Sequence, residues 1–183
     1  MKVIPINFNT EMMSAILEGR KTQTRRPVKL KNVDLIEFMG GSDEENASFD
    51  FVGLRHGEWE SDDGTVWGPE WLVYCTEYPE EGVVPVGSLY GAIGDQLLAT
   101  DGERNTTIEI TGFRVERVQD INKEDAKAEG CDYPAVPGMG WKLGARHNFM
   151  RLWDSIYSNW NDNPWVWVIE FKVTNGVIGE EAA

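Results

Sequence analysis

Lys21, Thr22 and Thr24, set among Arg20, Arg25 and Arg26, are the residues of this chain whose types and spacing best suit chemistry. A threonine hydroxyl is a weak nucleophile until a base takes its proton, and a neutral lysine amine can be that base. A lysine crowded by arginines loses its proton more readily than a free one, because nearby positive charge disfavours the ammonium. Lys21 is therefore a candidate base, and Thr22 or Thr24 a candidate nucleophile. The same stretch is a basic island. Residues 20 to 31 hold six of the 17 Lys and Arg (Arg20, Lys21, Arg25, Arg26, Lys29, Lys31) and no acid, on a chain with 31 Asp and Glu. Such an island suits an anionic or nucleotide-like ligand. A solvated basic turn is the bland alternative, and composition by itself favours it.

The elements around the island follow from periodicity. Met1 to Phe8 alternates as a short strand. Asn9 or Thr10 suits a helix N-cap, Met12, Met13, Ile16 and Leu17 share a helical face, and Gly19 supplies the stop. Pro27 keeps the island from continuing as helix. Residues 32 to 88 are less regular: short strands at Phe51 to Leu54 and Trp71 to Cys75, joined by exposed loops carrying the acidic clusters Asp43–Glu45, Asp62–Asp63 and Glu80–Glu81. Gly94-Asp95 turns into a strand over Gln96 to Ala99. Thr106 to Thr111 alternates as a strand, Gly112 interrupts it, and Phe113 to Val118 resumes. Asn122 caps a short helix over Lys123 to Glu129 that Gly130 closes. Residues 131 to 142 read as an irregular loop. Ala145, Phe149, Leu152, Trp153 and Ile156 mark an amphipathic helix, and Trp165 to Val173 a closing strand buried on both faces at its start. Residues 176 to 183 read as a flexible tail. Mostly strands with about three helices predicts an α+β fold, a small curved sheet or barrel forming one domain over residues 1–175.

Composition narrows the function. A net charge of −14 argues against sequence-blind binding of duplex nucleic acid, which depends on neutralising phosphates. It leaves room for a pocket holding one nucleoside or a single-stranded loop. The eight tryptophans suit core packing first and base stacking second. Cys75 and Cys131, with His56 and His147, lack metal-ligand spacing, so neither a zinc site nor a disulfide framework is expected. No apolar leader and no run near the roughly 18 residues of a membrane span occurs, which predicts a soluble, cytoplasmic protein without cofactor.

Taken in order, Ile16-Leu17-Glu18-Gly19-Arg20-Lys21-Thr22-Gln23-Thr24-Arg25-Arg26, Gly94-Asp95, Thr106 to Asn122, Glu124 to Gly130 and Trp165 to Val173 resemble the ASCH domains of the PUA-like superfamily. Arg114 to Ile121 and Asn163 to Val168 are similar to phage and prophage members, which would place the protein in a host cytoplasm. The resemblance covers the chain except for residues 32–88, an insertion. One branch, the small bacterial N4-acetylcytidine amidohydrolases, carries a very similar Gly-Arg-Lys-Thr-x-Thr-x-Arg segment. That likeness implies Lys21 as base, Thr24 as nucleophile and Glu129 from the later short helix as their partner, with Glu124 as the fallback. Arg20, Arg25 and Arg26 would bind substrate, and turn N–H groups or Arg26 would stabilise the oxyanion. Phage members often continue the Gly-Asp strand with an aromatic and an Arg-Glu pair, where this chain has Leu98-Ala99-Thr100-Asp101. The alternative the resemblance allows is a non-catalytic module binding RNA or another single strand, whose affinity would fall steeply with salt. A phage accessory protein acting on a host factor through its acidic surface is a third reading.

Overall fold

The structure is a computed structural model that describes residues 4–29, 53–74, 83–87, 90–134, 138 and 142–174. Among the described residues, two sheets and three α-helices form an α+β architecture. Strands β1 (Ile4–Asn7), β2 (Gln23–Pro27), β6 (Gln96–Thr100), β7 (Asn105–Arg117) and β8 (Trp165–Thr174) make a curled five-stranded sheet ordered β1-β6-β7-β8-β2. The β1–β6 pair is parallel and the other pairs are antiparallel. Strands β3 (Gly53–Glu60), β4 (Val66–Tyr74) and β5 (Val83–Gly87) make a separate antiparallel sheet.

Strand β8 organises the core because both of its faces are buried. Trp165, Trp167, Ile169 and Phe171 point into one apolar cluster, which also holds Ile6, Met13, Ile16, Leu97, Ile108 and Ile110. Val166 and Val168 point into a second cluster with Val118, Ala126, Phe149 and Trp153. Helix α1 (Thr10–Leu17) thus serves the first face, while α2 (Lys123–Ala128) and α3 (Ala145–Tyr157) serve the second. The smaller sheet contributes Trp71, Val73, Val84 and Val86 to the first cluster, with the Trp71 ring 4.7 Å from Phe113 and 6.5 Å from Trp167.

Most sequence expectations for this frame hold, with five changes, one being that β5 stands where exposed loop was expected. Gly112 does not end a strand; β7 runs through it with a register shift between Ile110 and Gly112, as a bulge allows. In α1 the buried positions are Met13, Ala15 and Ile16, while Leu17 is exposed; in α3 Ile156 is exposed and Asn148 is buried. Residues 55–60 and 66–70 are strand rather than loop, joined by a turn at 61–65. They complete the β3–β4 hairpin, whose strands were hidden by Gly57, Gly64, Gly68 and Pro69. Residues 131–134 and 142 form no regular element, as expected. Asp43–Glu45, Glu80–Glu81, Cys75 and the expected tail at 176–183 lie outside the described residues.

Candidate functional site

Two helix exits meet to build the site. Helix α1 starts under Asn9, whose Oδ1 accepts from Met12 N–H at 2.8 Å, and ends at Gly19 with φ +75°. Beyond it Gly19 N–H donates to Ile16 O at 3.0 Å and Arg20 N–H to Ala15 O at 2.8 Å. Helix α2 repeats the design. Asn122 caps it, Gly130 has φ +85°, Gly130 N–H donates to Lys127 O at 2.8 Å and Cys131 N–H to Ala126 O at 3.1 Å. Both endings are the left-handed glycine turn that satisfies the last helical carbonyls. A Cβ at Gly130 would sit 3.1 Å from the Ala15 Cβ and 3.3 Å from the Lys21 Cβ, so only glycine lets the two exits close. There Lys21 and Glu129 pair as an isolated antiparallel bridge, and Thr22 N–H donates to Ala128 O at 2.8 Å.

The Lys21 amine is entirely enclosed. Its Nζ donates to Glu129 Oε2 at 2.7 Å, to Glu129 O at 3.0 Å and to Gln23 O at 2.9 Å. It also lies 5.8 Å from the centre of the Phe8 ring. Burial pulls its pKa below the ordinary lysine value, partly opposed by Glu129, while Arg26 adds to the lowering. Three acceptors for three protons fit the ammonium at rest, and burial eases the loss of one of those protons. The neighbouring Cys131 thiol is pushed up to about 11 by burial and stays neutral.

Strand alternation then separates the remaining island residues. Thr24 and Arg26 lie on one face of β2, opposite Ile169 and Trp167; Gln23 and Arg25 lie on the other, opposite Glu170 and Val168. Thr24 is buried one strand residue beyond Gln23, and among the described residues no hydrogen bond joins its hydroxyl to Lys21. Arg26 Nη2 donates to Asn7 O at 2.7 Å, and its guanidinium covers the Phe8 ring at 5.1 Å. Beside it, burial raises the Tyr90 pKa while Arg26 opposes the rise. Arg20 is exposed and paired with Glu18 at 2.6 Å. Glu124 is exposed and meets Lys127, so the glutamate that reaches Lys21 is Glu129.

Arg25 is placed differently from its neighbours. Its side chain has no exposed surface; Nη1 donates to Gln23 Oε1 at 2.6 Å and Glu129 Oε1 at 3.0 Å, and Nε to Glu116 Oε1 at 3.1 Å. Reading the island as one basic surface misses this, although β2 alternation was a usable signal. Arg114 completes the cluster through Glu116 Oε2 at 3.0 Å, Asp125 Oδ2 at 3.1 Å and Glu170 Oε1 at 2.8 Å. Glu116, Asp125 and Gln23 carried no sequence mark, because they come from β7, α2 and β2 and meet only in the fold.

A groove of about 620 Å³ opens beside Glu129 and Gly130, with Asn9, Ser14, Arg20, Tyr133 and Leu152 on its walls. That volume falls within the roughly 300–1,000 Å³ of small-molecule sites. Lys21 and Thr24 do not line it. Among the described residues no group of three His, Cys, Asp or Glu could hold a metal ion, and no helix is long and apolar enough to cross a membrane.

No family model and no curated protein matches the chain. A solved structure resembles it: the crystal structure of protein EF3133 from Enterococcus faecalis V583, labelled DUF984. The two share 13% identity and a TM-score of 0.46, over 100% of this chain and 88% of the other. That likeness is too slight to carry a function.

Proposed function

We propose that the chain is a phage-type ASCH protein of PUA-like fold. Its activity in this reading is that of an amidohydrolase removing an acyl group from a modified nucleoside such as N4-acetylcytidine. The observation that carries the reading is the 2.7 Å contact between the buried Lys21 Nζ and Glu129 Oε2, across 108 residues of sequence. Thr24, three residues on, is likewise buried at the start of β2.

In this reading Lys21 reacts as the neutral amine, a form that its burial favours. It takes the Thr24 hydroxyl proton as Oγ1 attacks the acyl carbonyl. The tetrahedral oxyanion collapses, the C–N bond breaks, and the Lys21 ammonium returns that proton to the departing exocyclic nitrogen. Water, deprotonated by Lys21, then attacks the threonyl ester; the ester C–O bond breaks, the Lys21 ammonium returns the proton to Thr24 Oγ1, and acetic acid leaves and ionises in solvent. Arg26, half-buried on the Thr24 face, is the cation available to the oxyanion. Glu129 orients Lys21.

The RNA-binding alternative draws less support, because the island's cations are largely engaged: Arg20 by Glu18, Arg25 by Glu116 and Glu129, Arg26 by Asn7 O. A chromatographic assay of N4-acetylcytidine conversion to cytidine tests the proposal. Wild type should turn over, and Lys21→Ala and Thr24→Ala should each lose at least about a hundredfold, the scale of a missing nucleophile or base. No turnover at high enzyme concentration, with single-stranded RNA bound tightly at low salt and weakly at high salt, would replace it with the binding module.

A further inference from the structure

The Glu129 carboxylate serves two cations at once. Oε2 faces Lys21 Nζ at 2.7 Å, and Oε1 faces Arg25 Nη1 at 3.0 Å. Arg25 in turn divides its guanidinium among Glu129, Glu116 and, at 3.4 Å, Asp125, and the second oxygen of Glu116 meets Arg114 Nε at 3.0 Å. The result is a chain of alternating charge, Arg114–Glu116–Arg25–Glu129–Lys21, running from a side chain 36% exposed to one with no exposure. The proposed chemistry uses only the last two members, yet a fully buried arginine is costly to keep unless something depends on it.

We infer that Arg25, backed by Glu116, is a positioning residue. It pins one oxygen of Glu129 so that the other meets Lys21, and it offsets the negative charge that would otherwise hold the lysine proton in place. The inference rests on the catalytic reading of Lys21, but its geometry does not.

The groups facing Lys21 are few enough to name. Glu129 and Cys131 approach from the segment after α2, Arg26 from β2 and the Phe8 ring from the end of β1. Arg25 acts on it through Glu129. Without Arg25 the cluster gains net negative charge, so the Lys21 proton is held more tightly. Without the charge on Glu116, Arg25 gives more of itself to Glu129, so the proton is held less tightly. The two changes therefore act in opposite directions, which mere packing would not produce.

The experiment is an NMR titration of 13C-labelled lysine in the full chain, with the Lys21 signal assigned by its absence in Lys21→Met. Arg25→Gln should raise the Lys21 midpoint by on the order of one unit, and Glu116→Gln should lower it by less. Unmoved midpoints in both variants, or shifts of the same sign, overturn the inference. If Arg25→Gln does not fold, Glu116→Gln decides alone: a lowered midpoint supports the inference, and an unmoved or raised one sinks it. The titration reads without substrate. Opposite shifts with no turnover would sink the amidohydrolase and leave the charge chain standing, whereas turnover with unmoved midpoints would do the reverse.

Discussion

At the β2 edge of the five-stranded sheet charge is turned inward, and on the hairpin of the three-stranded sheet tryptophan is turned outward. Lys21, Arg25 and Glu129 are buried, whereas Trp67 is 52% and Val66 61% exposed, with carboxylates at Glu58, Glu60, Asp62 and Asp63 in the same hairpin. Each region departs from the usual sorting of residue types, but at different cost. A buried ion must find partners or lose several kcal/mol, and here every member of the cluster has them. An exposed indole costs little. Trp67 stacks on Trp59 at 6.3 Å and donates to Ser61 Oγ at 3.2 Å, while Trp59 donates to Glu70 at 2.7 Å. A cross-strand pair of this kind suffices to explain a hairpin extending beyond the reach of β5. The comparison teaches that burial, more than residue type, marks where this molecule has put its specificity.

Arg25→Gln is the most severe way to break that contrast. It strands Glu129 and Glu116 with less countercharge, and equilibrium urea unfolding should show a loss of roughly 3–5 kcal/mol. A loss below about 1 kcal/mol would mean that water replaces Arg25 readily and that the cluster is not sealed. Trp67→Ala should cost no more than about 1 kcal/mol, the worth of a cross-strand aromatic pair, and leave turnover unchanged. A larger loss would show the hairpin to be part of the core rather than an appendage.

Asp63→Asn should have the smallest effect and a specific pH signature. Hydrogen bonds from Ser61 and Thr65 hold the Asp63 pKa at about 2, against an ordinary 3.8. A carboxyl with a depressed folded value stabilises the fold fully above 3.8 and loses that contribution as pH falls towards 2. The gap in melting temperature between wild type and Asp63→Asn should therefore be slight at neutral pH and close between those values. A gap that persists below pH 2 would mean that the turn does not depend on the charge.

The elements were legible where local chemistry is strong. Asn9, Gly19, Asn122 and Gly130 announced both helices, and the alternation of β7 and β8 survived a bulge. Lys21 and Thr24 stood out by type and spacing. Glu129 was reached through a family resemblance and its place at the end of α2, and the fold brings it against Lys21. The outer part of the β3–β4 hairpin was mistaken for loop, with only short strands expected at its base, because turn-forming residues punctuate it and its exposed face offers no apolar alternation.

Sequence by itself determined the helix caps and stops and strands β1, β6, β7 and β8, since these depend on contacts within about one helical turn or on a two-residue period. It also determined that residues 20–26 would be rich in cations. Only the tertiary structure decided what those cations meet. Arg20, Arg25 and Arg26 are the same letter, yet one is paired at the surface, one is locked among three carboxylates, and one lies across an aromatic ring. The carboxylates that hold Arg25 come from 91 to 104 residues away, and the carbonyl that holds Arg26 from 19. An ion's energy depends on the distance to its countercharge and on the water around it, and neither is written along the chain.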